Sequence, residues 1–295
     1  MKVLNIGSMN LDHVYTVDHI VEPGETQSST QLQLFLGGKG MNQSVALAKA
    51  GVEVYQGGMI GEDGSVFLDA CREYGIHADH IRTVDARTGH AIIQIDKNAQ
   101  NCILLYGGAN QALPEAYVDE VISQFDKGDI LLLQNEVNLM PYIVDRGYAQ
   151  GMKIVLNPSP FDGKLKAVDM TKISLFLLNE IEGYQLTGCR EPDAIIDSIR
   201  ERFPHAAVVL TLGSDGAVYA DQSCKHFQPI FPVKAVDTTA AGDTFTGYFI
   251  AGLAQGMEIP DILRMSAKAS SIAVSRAGAV PSIPYRDEVI ASLEA

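Results

Sequence analysis

The sequence lacks several features that would point to a special environment. It has no tryptophan, only four cysteines, and no apolar run of the roughly 18 residues that a membrane-spanning helix needs. Cys71, Cys102, Cys189 and Cys224 lie far apart, which argues against a structural zinc site or a disulfide framework, so we expect reduced thiols. No cleavable signal pattern precedes the first strand-like segment, residues 2–6, and we expect a cytoplasmic protein.

Basic residues are also scarce. The chain has 22 Lys and Arg against 36 Asp and Glu, a formal net charge of −14. This balance argues against nucleic acid or an anionic membrane as the main partner, because phosphate backbones are bound by basic patches. It does not exclude a small phosphorylated ligand, which backbone amides can hold. With 295 residues, 46% of them hydrophobic, the chain is long enough for one large core.

Two common nucleotide-binding motifs are missing. The segment Gly37-Gly38-Lys39-Gly40 is not a phosphate loop of the Walker type, because a glycine follows the lysine where serine or threonine is needed. No G-x-G-x-x-G follows the first strand either. The glycines therefore allow close backbone approach to some other ligand, or only a tight turn. Lys39 either contacts a phosphate or is solvated.

Short apolar strands separated by helices fill most of the chain. This alternation predicts an α/β fold of three layers, α/β/α, with a mostly parallel sheet buried on both faces. Polar residues follow several strands, among them Asn10, Asp12, Glu136 and Asn179, at the edge where such sheets bind ligands. For Asn10 and Asp12 a plain polar loop is an equally good interpretation. The expected strands are residues 2–6, 130–133, 153–156, 173–178 and 207–211.

Two β excursions interrupt this alternation. Residues 29–36 alternate as a half-exposed antiparallel strand does, and residues 88–96 and 101–106 form a second β pair. We expect one domain over residues 1–295, with a small sheet contributed by about 12–38 and 88–107.

The segment 236–245 carries the sharpest chemical signal. Ala240, Ala241 and Gly242 precede an apolar helix, so the free amides of its first turn can bind an anion. Asp243 lies in that turn. It is either an ordinary N-terminal carboxylate or the base that a phosphoryl-transfer enzyme needs beside its anion site.

Five short motifs follow one another along the chain: Asn10-Leu-Asp12, Gly37-Gly-Lys-Gly-Met-Asn42, Asn179-Glu-Ile-Glu182, Thr211-Leu-Gly-Ser-Asp-Gly216 and Asp237-Thr-Thr-Ala-Ala-Gly-Asp243. They occur in the order seen in the ribokinase family of sugar kinases, which the chain resembles over nearly its whole length. The resemblance implies a ribokinase-like fold, with the small sheet as a lid over the sugar and often as the contact of a homodimer.

The resemblance also implies roles for individual residues. Asp243 would be the general base, and the amides of Ala240, Ala241 and Gly242 would form the anion hole. The sugar would be bound by Asn10, Asp12, Gly38, Lys39, Gly40, Asn42, Glu136 and Asp243. ATP would be bound by Asn179, Thr211, Gly213, Ser214, Gly216, Gly242 and Ala267, the last at a place where relatives often carry a larger polar residue.

Metal sites are implied in the same way. Asn179 and Glu182 would hold Mg²⁺, mostly through water, which suits the preference of that ion for carboxylates and retained waters. A monovalent cation, usually K⁺, would be held by Asp237, Thr239, Ala273, Arg276, Gly278 and Ser282.

The reaction implied is ATP-dependent phosphorylation of a primary sugar hydroxyl, first of all D-ribose to D-ribose 5-phosphate. A 2-deoxyribose, hexose or nucleoside kinase of the same fold is the alternative. A non-catalytic sugar-binding protein is a third hypothesis, but it predicts loss of Asp243 or of the Asn179 and Glu182 pair, and all three are present.

Overall fold

A computed structural model of the chain describes residues 1–98 and 100–294, which form two β-sheets and the helices that cover them. The strands are β1 (Val3–Ile6), β2 (Asn10–Thr16), β3 (Gln31–Gly37), β4 (Val54–Ile60), β5 (His77–Thr83), β6 (Gly89–Ile95), β7 (Asn101–Tyr106), β8 (Ile130–Gln134), β9 (Lys153–Asn157), β10 (Leu175–Asn179), β11 (Ala207–Thr211), β12 (Ala217–Ala220) and β13 (Lys225–Gln228). The α-helices are α1 (Lys39–Lys49), α2 (Val66–Tyr74), α3 (Glu115–Ile122), α4 (Met140–Gln150), α5 (Glu180–Thr187), α6 (Pro192–Arg202), α7 (Ala241–Ala254), α8 (Ile259–Val274) and α9 (Arg286–Glu294).

The main sheet has nine strands in the order β13-β12-β11-β10-β9-β8-β1-β4-β5. All neighbours from β11 to β5 are parallel, so their carboxyl ends meet at one edge. The five strands expected from the sequence are all present and parallel, which confirms the mostly parallel sheet. The antiparallel edge formed by β12 and β13 was not predicted.

Apolar residues on both faces of this sheet make two core clusters. One cluster joins the sheet to α1, α2, α7, α8 and α9 and includes Met41, Phe67 and Tyr248. The other joins it to α3, α4 and α6 and includes Tyr117 and Ile196. Successive strand residues supply opposite clusters, as the strand period of two requires. The chain is thus the three-layer α/β/α structure that the sequence predicts.

The second sheet has four strands in the order β3-β2-β6-β7 and uses the two predicted excursions. In it β2 is parallel to β6, and the outer pairs are antiparallel. Asn10 and Asp12 belong to β2, so the interpretation of these residues as a loop after β1 is wrong. The alternation of Val233, Ala235 and Val236 predicts an extended segment before Ala240, and this segment lies outside both sheets.

The apolar pattern of residues 42–50 predicts a helix that begins at Asn42, but α1 begins at Lys39, so Lys39 and Gly40 are part of the helix. Helix α7 begins at Ala241 and brings Asp243 into its first turn, as expected. Among the described residues, none of the helices has the length and apolar character that crossing a bilayer requires.

Candidate active site

Asp243 lies at the carboxyl edge of the main sheet, where the first turns of α1 and α7 meet. Its side chain is buried, with 7% exposure. Both carboxylate oxygens accept hydrogen bonds from side-chain amides: Oδ2 from Asn42 Nδ2 at 2.9 Å, and Oδ1 from Gln43 Nε2 at 2.8 Å. The structure thus brings together Asn42 and Asp243, which the sequence assigned to one site.

The close crossing of α1 and α7 sets this contact. One turn beyond Asp243, a Cβ on Gly247 would overlap the side chain of Ala46, which lies one turn beyond Asn42. Since residues four apart share a helix face, the absent side chain at Gly247 lets the two first turns approach within hydrogen-bond distance. The geometry of the buried acid therefore depends on a small residue in each helix.

The start of α7 presents free amides. Ala240 precedes the helix in the left-handed conformation, with φ of 58°. The amide of Ala241 donates to the Thr238 carbonyl at 3.2 Å, so it is not available to a ligand. Among the described residues, nothing accepts from the amides of Gly242 and Asp243, and a Cβ on Gly242 would meet only open space. This end of the helix can therefore receive an anion through those two amides.

The glycine segment before α1 packs against protein backbone. Gly38 has φ of 87°, and a Cβ there would lie 2.9 Å from the Asn10 amide nitrogen and from the Ser8 carbonyl oxygen. A Cβ on Gly40 would overlap the backbone at Gly7 and Ser8. The Met41 amide donates to the Ser8 carbonyl at 3.0 Å. At Gly38 and Gly40, glycine therefore allows α1 to approach the turn between β1 and β2.

Three ionisable side chains lie beside this segment. Burial, reinforced by the charge of Glu136, raises the pKa of Asp12 to about 7. Burial also raises the pKa of Glu136, although Ser8 donates to its carboxylate and the Lys39 amide donates to it at 3.2 Å. For Lys39, burial opposes the charge, but the carboxylates of Asp243 and Glu136 outweigh it and raise the pKa. Lys39 is thus surrounded by carboxylates and is not simply solvated.

Sequence reasoning missed three residues of this site: Ser8, Gln43 and Asn110. Asn110 Nδ2 donates to Asn10 Oδ1 at 2.8 Å, and Asn110 Oδ1 accepts from the Met9 amide at 3.0 Å. Gln43 directly follows the last residue of the glycine motif, so its position was a usable signal. For Ser8 and Asn110 no pattern in the sequence marked a role.

Asn42 keeps one acceptor free. Its Oδ1 is buried and finds no hydrogen-bond partner among the described residues, while its Nδ2 is committed to Asp243. An unpaired buried acceptor costs free energy unless a ligand or water satisfies it. A ligand hydroxyl beside Asp243 would supply the missing donor.

A cavity of about 450 Å³ lies on the other side of the start of α7. Its size is within the range of small-molecule sites. It is lined by six of the seven residues predicted to bind ATP, Thr211, Gly213, Ser214, Gly216, Gly242 and Ala267, together with apolar side chains such as Ile230 and Phe231. Asn179, the seventh, lies outside this lining.

Asn179 and Glu182 form a capping box at the start of α5. Asn179 Oδ1 accepts from the Glu182 amide at 2.9 Å, and Glu182 Oε2 accepts from the Asn179 amide at 3.0 Å. One oxygen of each side chain is thus committed to the helix start. The described residues contain no group of three or more His, Cys, Asp or Glu side chains placed to hold a metal. The pair therefore fits Mg²⁺ through retained waters rather than as a dense ligand set.

The residues expected to hold a monovalent cation lie around Asp237. Its Oδ1 accepts from the Thr239 amide at 2.8 Å, and its Oδ2 accepts from the Gly278 amide at 2.9 Å, so the carboxylate joins the two loops. Among the described residues, no hydrogen bond reaches the carbonyl oxygens of Thr239, Arg276 and Gly278. Free carbonyls beside a carboxylate suit a cation. Ser282 is fully buried, and its hydroxyl donates to the Ala279 carbonyl.

A buried acid in the first turn of a helix, beside free backbone amides and a cavity of small-molecule size, suits a phosphoryl-transfer enzyme. Residues 1–286 match the model of the pfkB family carbohydrate kinases, and the chain belongs to this family. It is 36% identical to a ribokinase of Haemophilus influenzae over 98% of this chain and 97% of the relative. It is 29% identical to a deoxyribokinase of Salmonella typhi over 96% of each.

A solved structure agrees with the fold. The ribokinase of Arabidopsis thaliana, determined with ribose and ATP, superposes with a TM-score of 0.86 at 30% identity and covers 100% of this chain and 98% of that one. The likeness extends over both sheets, because it leaves almost no part of either chain uncovered.

The left-handed conformation of Ala240 predicts that Ala240→Gly stabilises the fold. A residue with a Cβ loses roughly 1–2 kcal/mol there, and glycine returns part of this through its unfolded-state entropy, which leaves a gain of about 0.5–1 kcal/mol. Ala241→Gly is the matched control and should cost up to about 1 kcal/mol, because Ala241 is already helical. Urea unfolding of both variants measures the difference, and equal effects of the two would contradict the assignment.

The raised pKa of Asp12 predicts that Asp12→Asn stabilises the protein above neutral pH. The folded state holds the proton up to about pH 7 and the unfolded state only to 3.8, so ionisation costs stability as pH rises between these values. Since Asp12 is only partly buried, we expect a gain of about 1–2 kcal/mol at pH 8 and a smaller one at pH 5.

Asp63→Asn is the control with the opposite sign. The Thr88 hydroxyl hydrogen bond lowers the pKa of Asp63, so this variant should lose about the same stability at pH 8 and at pH 5, and lose less only as pH falls below the ordinary value of 3.8. Thermal unfolding at both pH values is the measurement. If Asp12→Asn were no more stable than the parent at pH 8, Asp12 would not carry a buried charge.

Proposed function

We propose that the protein transfers the γ-phosphoryl group of ATP to the primary hydroxyl of D-ribose, giving D-ribose 5-phosphate and ADP. The observation that carries this proposal is the position of Asp243. Its carboxylate accepts a hydrogen bond from Asn42 at the start of α1, and its neighbour Gly242 lines the cavity of about 450 Å³. The ribose and ATP bound by the Arabidopsis thaliana ribokinase support the same pair of substrates here.

In this reaction Asp243 accepts the proton of the sugar hydroxyl. The freed oxygen forms a bond to the γ-phosphorus, the bond from that phosphorus to the bridging oxygen breaks, and ADP leaves with the electron pair. The free amides of Gly242 and Asp243 stabilise the charge that develops on the phosphoryl oxygens. The ammonium group of Lys39, kept charged by its carboxylate neighbours, adds to this stabilisation.

The sugar is proposed to bind among the polar side chains between the small sheet and the start of α1. Asn10, Asp12 and Glu136 offer acceptors, and Asn42 Oδ1 is an acceptor without a partner among the described residues. Such groups suit the vicinal hydroxyls of a pentose. The small sheet is proposed to act as the lid over this site. The deoxyribokinase of Salmonella typhi keeps 2-deoxyribose as the second candidate substrate.

Mg²⁺ is proposed to be held by Asn179 and Glu182 through water, and when bound it neutralises phosphate charge. The oxygens committed to the capping box argue against direct ligation by both side chains. K⁺ is proposed to bind among the free carbonyls of Thr239, Arg276 and Gly278 beside Asp237. A cytoplasmic location stays a prediction.

A homodimer through the small sheet is the further part of the proposal. Leu34, His13, Ile92 and Leu104 face one another in register across its four strands. Leu34 and Leu104 are 64% and 66% exposed. Because side chains alternate along a strand, this row points away from the face that carries Asp12. An exposed apolar row of this length is typical of an interaction surface.

Asp243→Asn tests the catalytic base. Without a proton acceptor, turnover should fall by at least the roughly 10²-fold contribution of a general base, while sugar and ATP still bind. The measurement is ADP release with Mg-ATP on ribose, 2-deoxyribose, fructose and nucleosides, with and without K⁺. Parental turnover of Asp243→Asn would remove Asp243 from the mechanism, and turnover confined to a hexose or nucleoside would replace ribose as the substrate.

Leu34→Lys combined with Leu104→Lys tests the dimer. Two charges in the apolar row should convert a dimer to a monomer in light scattering at micromolar concentration. Ile181→Lys is the control, because Ile181 is 70% exposed on α5, outside the small sheet. A monomeric parent, or a double variant that stays dimeric, would refute this interface.

A further inference from the structure

Three side-chain amides buried below the active site connect the main sheet to Asp243. Asn5 lies on β1, Gln134 at the end of β8 and Gln43 in the first turns of α1, and each is 0% exposed. Completely buried amides are costly unless their hydrogen bonds are satisfied. The reaction proposed above uses none of these three residues directly.

The direction of the hydrogen bonds in this row of amides is fixed at one end by a backbone carbonyl. Asn5 Nδ2 donates to the Gly40 carbonyl at 2.8 Å, and a carbonyl oxygen can only accept. Asn5 Oδ1 is therefore turned toward Gln134, whose Nε2 donates to it at 2.9 Å. The orientation of the second amide follows from that of the first.

The same logic orients Gln43. The Nε2 group of Gln134 also donates to Gln43 Oε1 at 2.7 Å, which leaves Gln43 Nε2 to donate to Asp243 Oδ1 at 2.8 Å. From the other side, Asn157 Nδ2 donates to the Leu177 carbonyl at 2.8 Å, so Asn157 Oδ1 accepts from Gln43 Nε2 at 3.2 Å. Flipping the Gln43 amide would break contacts on both sides.

Asp243 therefore faces a donor that cannot turn away. Two charged side chains interact electrostatically with Asp243: Lys39, at the start of α1, and Glu136, which follows β8. With Gln43 on Oδ1 and Asn42 on Oδ2, the carboxylate plane is fixed while lone pairs remain for a substrate proton.

We infer that Gln43, oriented by Gln134 and Asn5, is a positioning residue that aims the Asp243 carboxylate at the sugar hydroxyl and stabilises its charged form. This inference rests on the proposed role of Asp243 as the base. Gln43 thus directs the carboxylate, and the orientation of the Gln43 amide is set through Gln134 by Asn5 on β1.

Gln43→Met tests the inference, because methionine keeps the length of the side chain but donates nothing. With the sugar on which the parent is most active, kcat should fall about 10- to 100-fold, as expected for loss of a hydrogen bond to a charged group, while KM for sugar and ATP changes less than about threefold. The acidic limb of the pH profile of kcat/KM should move to higher pH, since the carboxylate loses a stabilising donor.

Two further variants sharpen the test. Gln43→Glu places an acid next to Asp243 in the same volume, and the acidic limb should move further up because the two carboxyl groups compete for one proton. Gln134→Met leaves Gln43 in place but removes the donor to Gln43 Oε1, so the amide is held from the Asn157 side alone, and the variant should act in the same direction with a smaller loss of kcat. These two variants carry the test if Gln43→Met does not fold.

Gln56→Met is the matched control. Gln56 is also 0% exposed, donates to the Gly7 and Gly57 carbonyls, and makes no hydrogen bond to Gln43, Gln134 or Asp243. Its Oε1 accepts from the Ser44 hydroxyl, which accepts in turn from Asn5 Nδ2, but Gln56→Met leaves the hydrogen bond from Asn5 Nδ2 to the Gly40 carbonyl in place. It should lower the melting temperature as the Gln43 variants do, yet leave kcat and the pH profile close to those of the parent.

The outcomes separate this inference from the proposed function. Parental kcat and an unmoved pH profile in folded Gln43→Met, beside an inactive Asp243→Asn, would overturn the positioning role alone. An equal loss of kcat in Gln56→Met would also overturn it, because the effect would then follow stability. Parental activity of Asp243→Asn would instead remove the base itself.

Discussion

The pair of amide hydrogen bonds to the Asp243 carboxylate is the contact on which the rest of the site depends. It joins the first turns of α1, which supply the two amide donors, to the first turn of α7, which presents free backbone amides. Both helices reach it only because small residues allow close packing: Gly247 against Ala46 at the crossing, and Gly40 against the turn after β1. A larger side chain at either glycine would separate the two halves of the site before it altered any functional group.

Charge is divided between the two sides of this contact. The carboxylates of Asp12, Glu136 and Asp243 lie near the start of α1, together with Lys39. The start of α7, by contrast, offers uncharged amides and an apolar cavity. Carboxylates repel phosphate and accept from hydroxyls, while helix-start amides attract phosphate. In the proposed reaction this division sorts the two substrates, and it explains how a chain with a net charge of −14 can bind a nucleotide locally.

Period and motif in the sequence were enough for the parallel sheet, the three layers and the place of Asp243 in the first turn of α7, because apolar strands and helix starts leave local patterns. That Asn42 and Asp243 share a site was implied only by the resemblance to the ribokinase family. For Asn179 and Glu182 the sequence analysis predicts only a metal site, although the spacing of three residues also fits the capping box that the structure shows. The contact of Gln43 with Asp243 spans 200 residues of sequence. No local pattern reports such a partner, because tertiary packing alone decides which buried amide meets which carboxylate.

A buried row of amides is an expensive way to fill the space below a sheet edge, since apolar residues of similar size would avoid the desolvation cost. One buried acceptor in this row stays unpaired among the described residues: Gln134 Oε1 finds no hydrogen-bond partner. This oxygen lies against Gly7, where a Cβ would overlap it. Leaving that oxygen unpaired is consistent with turning the Gln134 amino group toward both Asn5 and Gln43. The arrangement thus gives up one acceptor to set the direction of the donor at Asp243, which stability alone does not require.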